Sequence, residues 1–162
     1  MPIAVGERLP ESTLVEMGAE GPAGVSVAEL TAGKKVALFA VPGAFTPTCH
    51  QKHVPSFVNA AEELAGKGVD EIICVSVNDP FVMNAWGEAT GAKGAGIRMM
   101  ADADSAFTKA VGLDFSAPPV GLIDRSKRYS MFIEDGVVKV LNVEDSPGDA
   151  VCSLGEALVD QI

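Results

Sequence analysis

The sequence predicts an α/β layer fold, a mixed sheet sandwiched by helices. Three observations carry this. Two short, continuous apolar runs, residues 34–41 and 70–77, are separated by a stretch whose apolar residues recur every three or four positions, the βαβ pattern of a parallel strand pair. Two further runs, 128–134 and 137–143, flank Asp135-Gly136, a strong hairpin signal because both turn positions tolerate positive φ. The chain then closes on Val151, Leu154, Leu158 and Ile162, which share one face of a terminal helix.

Residues 12–28 read as an N-terminal hairpin with a loose turn over residues 18–24. Lys34 to Val41 is a buried strand that must stop at Pro42-Gly43. Val54, Phe57, Val58, Ala61, Leu64 and Ala65 form the apolar face of a helix, which Gly66 and Gly68 end. Pro55 lies inside it and should kink it or remove a hydrogen bond. Asp70 to Val77 is a second buried strand, Asn78-Asp79-Pro80 a turn, and Phe81 to Ala89 a short helix. Ile97 to Ala101 gives another strand and Ser105 to Val111 another helix, before an irregular loop through Pro118-Pro119. This order fits one thioredoxin-like domain over residues 1–162, with a mixed central sheet flanked by helices and an N-terminal hairpin.

At 162 residues, 48% hydrophobic and 21% charged, the chain is long and apolar enough to bury a single core. No apolar run reaches the ~18 residues of a membrane span, and the start lacks the features of a signal peptide, so a cytoplasmic location is the default expectation. Twelve Lys and Arg against 22 Asp and Glu give a net charge of −10, which repels nucleic acid and anionic membranes; neither is an expected partner. Cys49, Cys74 and Cys152 are too few and too widely spaced for a disulfide scaffold, and none forms a CxxC pair. With only His50 and His53 beside them, metal-free chemistry without a cofactor is the better reading.

The chemistry centres on Cys49. It closes the run Val41-Pro-Gly-Ala-Phe-Thr-Pro-Thr-Cys49, with a strand pattern before it and a helix pattern behind it, which puts a thiol in the first turn of a helix. There the unsatisfied N–H groups and the positive end of the helix dipole favour an anion, so the thiol is expected to ionise easily. The thiolate is the nucleophilic form of cysteine.

Pro42-Gly-Ala-Phe-Thr46-Pro-Thr-Cys49 carries a Pro-x-x-x-Thr-x-x-Cys pattern that resembles the peroxiredoxins, and its Gly-Ala-Phe-Thr-Pro version resembles their type II, or peroxiredoxin-five, group. His53-Val-Pro-Ser-Phe57, Ser76-Val-Asn-Asp-Pro-Phe81, Arg128-Tyr-Ser-Met131 and Cys152-Ser-Leu154 extend the resemblance over nearly the whole chain. It implies a thiol peroxidase that reduces hydrogen peroxide and organic hydroperoxides, with Cys49 as the peroxidatic thiol passing through a sulfenic acid. Thr46 would aim its hydroxyl at the sulfur or the peroxide, Pro42 would shield the thiolate, and Arg128 would supply the family's guanidinium, with Arg125 as the fallback. Gly43 and Phe45 complete the peroxide-binding set with Thr46, Cys49 and Arg128. Cys152 resembles the resolving cysteine of atypical two-cysteine members, and Cys74 matches a cysteine of plant-like members. Alternatively, glutathione and glutaredoxin, or thioredoxin, act as external reductants. A homodimer is the implied assembly.

Other readings stand beside these. Cys74, within an apolar strand, reads as a plain core residue, whereas Cys152 lies off the apolar stripe and should be accessible. His53, four residues after Cys49, could form a Cys–His pair, but packing is the preferred role. Phe45, Phe81, Trp86 and Phe115 read as core, or as a dimer face near the active-site turn. A thiol–disulfide oxidoreductase lacks support without CxxC, and a redox sensor remains as a secondary role.

Overall fold

The computed structural model describes residues 2–162; residue 1 of the expected domain lies outside them. An antiparallel hairpin, β1 (Thr13–Gly18) and β2 (Gly21–Ser26), opens the chain. Its turn is only Ala19-Glu20, tighter than the loose loop expected, because Gly18 pairs directly with Gly21. After α1 (Val27–Thr31), the predicted parallel unit appears as β3 (Lys35–Val41), α2 (Val54–Gly66) and β4 (Glu71–Ser76). Next come α3 (Pro80–Ala89), capped by the Asp79 carboxylate on Val82 N–H, then β5 (Ile97–Ala101) and α4 (Ala106–Ala110).

The stretch through Pro118-Pro119, expected to be an irregular loop, instead forms with the residues that follow it a separate two-stranded sheet, β6 (Asp114–Ala117) and β7 (Leu122–Ser126), around a 3₁₀ turn at Pro118–Val120. The prolines occupy the turn, where no ladder N–H is needed, so they do not break the strands beside them. The hairpin β8 (Tyr129–Glu134) and β9 (Val137–Val143) turns at Asp135-Gly136 with φ of 49° and 79°, as expected. The terminal helix α5 (Gly155–Gln161) starts later than its apolar spacing predicts: Val151 is exposed, and residues 144–154 form a non-helical strap.

The main sheet has the order β2-β1-β5-β4-β3-β8-β9. Strand alternation divides the core in two. Ala37, Phe39, Val41 and Cys74 face α2, α3 and α5, where Phe57, Leu64, Met83, Trp86 and Leu158 are buried. Val36, Leu38, Ala40, Ile73 and Val75 face the opposite side, with Val27 and Leu30 of α1 and Phe107 of α4. The sheet is therefore covered on both faces, which is why its central strands read as continuous apolar runs. Phe57 lies flat on Phe39 with ring centroids 4.1 Å apart, and burial of such a side chain stabilises the fold by about 1.5–3 kcal/mol. Ala60 is buried on α2 while Ala65, expected on the apolar face, is exposed.

Two features of this architecture bring distant segments toward the C-terminal end of β3. Ala40 pairs with Tyr129 in antiparallel register, so Arg128 falls beside that end, on the face that α2 covers. Near the start of α2, the first residue of α5 packs so closely that a Cβ at Gly155 would come within 2.5 Å of the Ser56 carbonyl oxygen. Gly155→Ala should therefore destabilise the protein by about 1–3 kcal/mol, read as a lower urea midpoint at unchanged slope.

Candidate active site

The chain leaves β3 at Val41 and turns over Pro42–Phe45 before becoming helical at Pro47. Phe45 takes φ +64°, an unusual conformation for a bulky residue, and the turn is held from several sides. Asn78 Oδ1 accepts from Ala44 N–H at 3.0 Å and from the Ser76 hydroxyl at 2.5 Å. Arg125 Nη1 donates to the Pro42 carbonyl at 3.4 Å. Gly43 lies close to its neighbours: a Cβ there would be 3.0 Å from that same Nη1 and 3.2 Å from Thr46 Cγ2, and both side chains would have to give by a few tenths of an ångström.

The first helical bond runs from His50 N–H to the Thr46 carbonyl at 2.9 Å, so the amides of Thr48 and Cys49 precede it, as the sequence predicts for this thiol. The next turn, Cys49–His53, is a π-turn closed by Val54 N–H on the Cys49 carbonyl. Its extra width makes room where the Pro55 ring would otherwise meet the Gln51 carbonyl, so the proline alters the turn that carries the thiol.

Cys49 Sγ has no exposed surface. The Thr46 hydroxyl lies 2.8 Å from it and 2.7 Å from the Gly43 carbonyl. One proton faces two acceptors, so this hydroxyl can point to sulfur or to the backbone. Arg128, only 2% exposed, donates through Nη2 to Cys49 Sγ at 2.9 Å. Its other bonds run from Nε and Nη2 to the Pro147 carbonyl, at 3.2 and 3.0 Å, and from Nη1 to His53 Nδ1 at 3.0 Å. The structure thus brings Pro42, Gly43, Thr46, Cys49 and Arg128 to one end of β3, while Arg125 reaches the turn and not the sulfur.

His53 is neither a plain packing residue nor a direct partner of the thiol. It packs against the stacked rings of Phe39 and Phe57 and bridges Arg128 to the Ser153 carbonyl, which its Nε2 meets at 2.9 Å. Because a guanidinium only donates, Nδ1 must accept, and the ring proton resides on Nε2. Burial, then the charge of Arg128, push its pKa down to about 3, so the ring stays neutral. The strap residue Glu144 is held below the usual carboxylate range: burial opposes its charge, but hydrogen bonds from the Ser153 side chain, Ser153 N–H and Val151 N–H outweigh that.

The other two cysteines lie apart in character. Cys74 is fully buried opposite Phe39 in the β3–β4 pair, and burial pushes its thiol up. Cys152 is exposed on the strap, with Sγ 3.6 Å from the Val143 carbonyl; partial burial and the Glu144 carboxylate push its thiol up as well. Among the aromatics, Trp86 is buried and donates to His50 Nδ1 at 3.0 Å. Phe45 and Phe81 are not core: they are 51% and 63% exposed, and Phe45 stacks on His50. Their exposure results from the turn geometry, which directs Phe45 outward, and from the position of Phe81 in the first turn of α3.

A family model described as Redoxin matches residues 4–158. The chain is 52% identical over 160 residues to Peroxiredoxin-2E-2, chloroplastic, of Oryza sativa subsp. japonica, spanning 96% of this chain and 71% of that protein. It is 47% identical over 158 residues to Peroxiredoxin-2B of Arabidopsis thaliana, covering 97% of each. The chain belongs to the peroxiredoxins. Reduced Prx3 from Vibrio vulnificus in complex with hydrogen peroxide superposes on this peroxiredoxin with a TM-score of 0.92 at 50% identity over 98% of both chains. The oxidised form of that protein gives 0.90 at 50% identity over 99% of both. The fold is thioredoxin-like, and the family activity is that of an antioxidant thiol peroxidase.

The neutral, buried His53 sets a pH dependence. Its folded pKa lies below the unfolded value of 6.5, so its contribution is complete above pH 6.5 and is lost as pH falls toward 3. Unfolding free energy should fall by up to about 1.4 kcal/mol per pH unit across that window. Between pH 6.5 and 5, where carboxylates remain largely ionised, His53→Gln should flatten the slope in urea titrations. A slope equal to the wild type's would contradict the neutral assignment.

Proposed function

We propose that Cys49 is the peroxidatic thiol, reducing hydrogen peroxide and organic hydroperoxides to water and alcohols. The observation that carries this reading is the sulfur held between the Thr46 hydroxyl at 2.8 Å and the Arg128 guanidinium at 2.9 Å. An anionic sulfur satisfies both donors. It attacks the nearer peroxide oxygen, the O–O bond breaks, and the remaining oxygen leaves as hydroxide or alkoxide, which takes up from solvent the proton that the thiol had released and becomes water or alcohol. Sulfur is oxidised by two electrons to the sulfenic acid and the peroxide is reduced by two. Thr46 and Arg128 are placed to stabilise the charge that spreads across sulfur and both oxygens, and Pro42 and Gly43 wall the site from water. Because the sulfur has no exposed surface, a peroxide reaches it only when the residues around it shift. The Vibrio vulnificus relative bound to hydrogen peroxide supports this substrate class.

The sulfenic acid is then condensed with a second thiol, releasing water, and the disulfide is reduced by glutathione and glutaredoxin or by thioredoxin. Cys152 is favoured over Cys74 as the internal candidate because it is exposed while Cys74 is sealed in the core. A glutathione thiol acting directly on Cys49 is the alternative route. The exposed rings of Phe45 and Phe81 support a homodimer face beside the site.

Cys49→Ser should abolish peroxide consumption, and Thr46→Val or Arg128→Met should slow single-turnover thiol oxidation by about 100-fold each. Full turnover by Cys49→Ser would refute the assignment. Mass spectrometry after peroxide, with and without glutathione, should show either a Cys49–Cys152 disulfide or a glutathione adduct on Cys49. Neither species forming would remove both recycling routes.

A further inference from the structure

Beyond the residues that touch sulfur, the guanidinium of Arg128 is itself held, and nearly all of its support comes from one segment. Apart from the bond to Cys49, its contacts are two bonds to the Pro147 carbonyl and one to His53. His53 is oriented in turn by the Ser153 carbonyl. Thr48, one residue before the thiol, donates its hydroxyl to the Gly148 carbonyl at 3.1 Å. Every one of these acceptors is a backbone carbonyl of the 144–154 strap or a ring that the strap fixes. A non-helical strap has no ladder of its own to keep three carbonyls in place.

One backbone turn, from Asp149 N–H to the Ser146 carbonyl, lies inside the strap, and a single carboxylate closes it end to end. Glu144 Oε2 accepts from Val151 N–H at 2.8 Å, Ser153 N–H at 2.7 Å and the Ser153 hydroxyl at 2.6 Å, and so ties the two ends of the strap together. Its own N–H donates to the Arg128 carbonyl at 3.0 Å, which fixes the strap to the residue it serves. Glu144 is 8% exposed and Ser153 fully buried, so these bonds are shielded from competing water.

We propose that Glu144 is a positioning residue for the peroxidase reaction: by folding the strap it holds Pro147, Ser153 and His53 where they aim the Arg128 guanidinium at Cys49. This rests on the reading of Cys49 as an anionic nucleophile. It predicts a direction opposite to that of simple charge. A carboxylate near an anionic sulfur repels it, so a purely Coulombic Glu144 would make its removal favour the thiolate. A strap that aims Arg128 makes the same removal disfavour it.

The test compares Glu144→Ala, which removes the acceptor itself, with wild type in the 162-residue chain. Two readouts are used: the rate constant for peroxide oxidation of Cys49, and the pH profile of Cys49 alkylation by iodoacetamide. Both should move together, with oxidation slower by about tenfold and the alkylation profile displaced to higher pH. Ser153→Ala, which removes only one donor to Glu144 and keeps the carbonyl on His53, should give a smaller change of the same sign. Asp149→Asn, an exposed charge on the same strap, should leave both readouts unchanged. In an Arg128→Met background, Glu144→Ala should add no further loss, because both act through one guanidinium. A folded Glu144→Ala protein with unaltered or faster oxidation, or an alkylation profile moved to lower pH, would overturn the proposal. So would fully additive losses in the double variant. Should Glu144→Ala fail to fold, Ser153→Ala decides by the same signs. The alkylation profile reads the strap independently of turnover, so a wild type inert to peroxide would count against the peroxidase reading alone.

Discussion

A guanidinium almost entirely removed from water is the constraint around which this molecule is arranged. Desolvating such a cation costs several kcal/mol unless its donors are matched, and Arg128 is 2% exposed. Its donors are met by a backbone carbonyl, a neutral imidazole and a sulfur, none of them a carboxylate. With no Asp or Glu bonded to it, the positive charge is not neutralised by an ion pair, and the sulfur is the one of its acceptors able to carry a full negative charge. The same cation contributes, after burial, to keeping His53 neutral. A charged imidazole would set two cations 3.0 Å apart and take away the acceptor at Nδ1.

The sheet makes this arrangement possible. β3 is flanked by a parallel strand on one side and an antiparallel strand on the other. Its C-terminal end therefore meets the outgoing loop toward α2 and the incoming start of β8 in one place. The loop delivers Thr46 and Cys49, and β8 delivers Arg128. The bond to Asn78 and the bond from Arg125 hold the loop, with its positive φ at Phe45, in a conformation that a free chain would leave. The π-turn before Pro55 continues the same theme, with a helix distorted where the chemistry sits.

Much of the fold is legible in the sequence because local pattern and tertiary fate agree. Lys35–Val41 and Glu71–Ser76 are buried on both faces, so their apolar runs announce themselves, and Asp135-Gly136 can turn only a few ways. The stretch through Pro118-Pro119 reads as a loop because its prolines mask β6, whose pairing with β7 is a matter of one hairpin folding on itself. The terminal helix reads as too long because Val151 fits its apolar period, yet Val151 and Ser153 amides are bound by the Glu144 carboxylate and not by helix carbonyls. Phe45 and Phe81 read as core by composition, but the turn and the first turn of α3 leave them outside.

By itself the sequence determined the strand-to-helix turn bearing Cys49, the proline that strains it, and the company of Thr46, because these depend on residues within a few positions of one another. Only the tertiary structure decided which arginine approaches the sulfur, why His53 is neutral, and that Glu144, Pro147 and Ser153 stand behind both. The contacts of Arg128 with Cys49 and His53, and of His53 with the Ser153 carbonyl, join positions 75 to 100 residues apart in the chain, so they exist only once the register of β3 against β8 has formed.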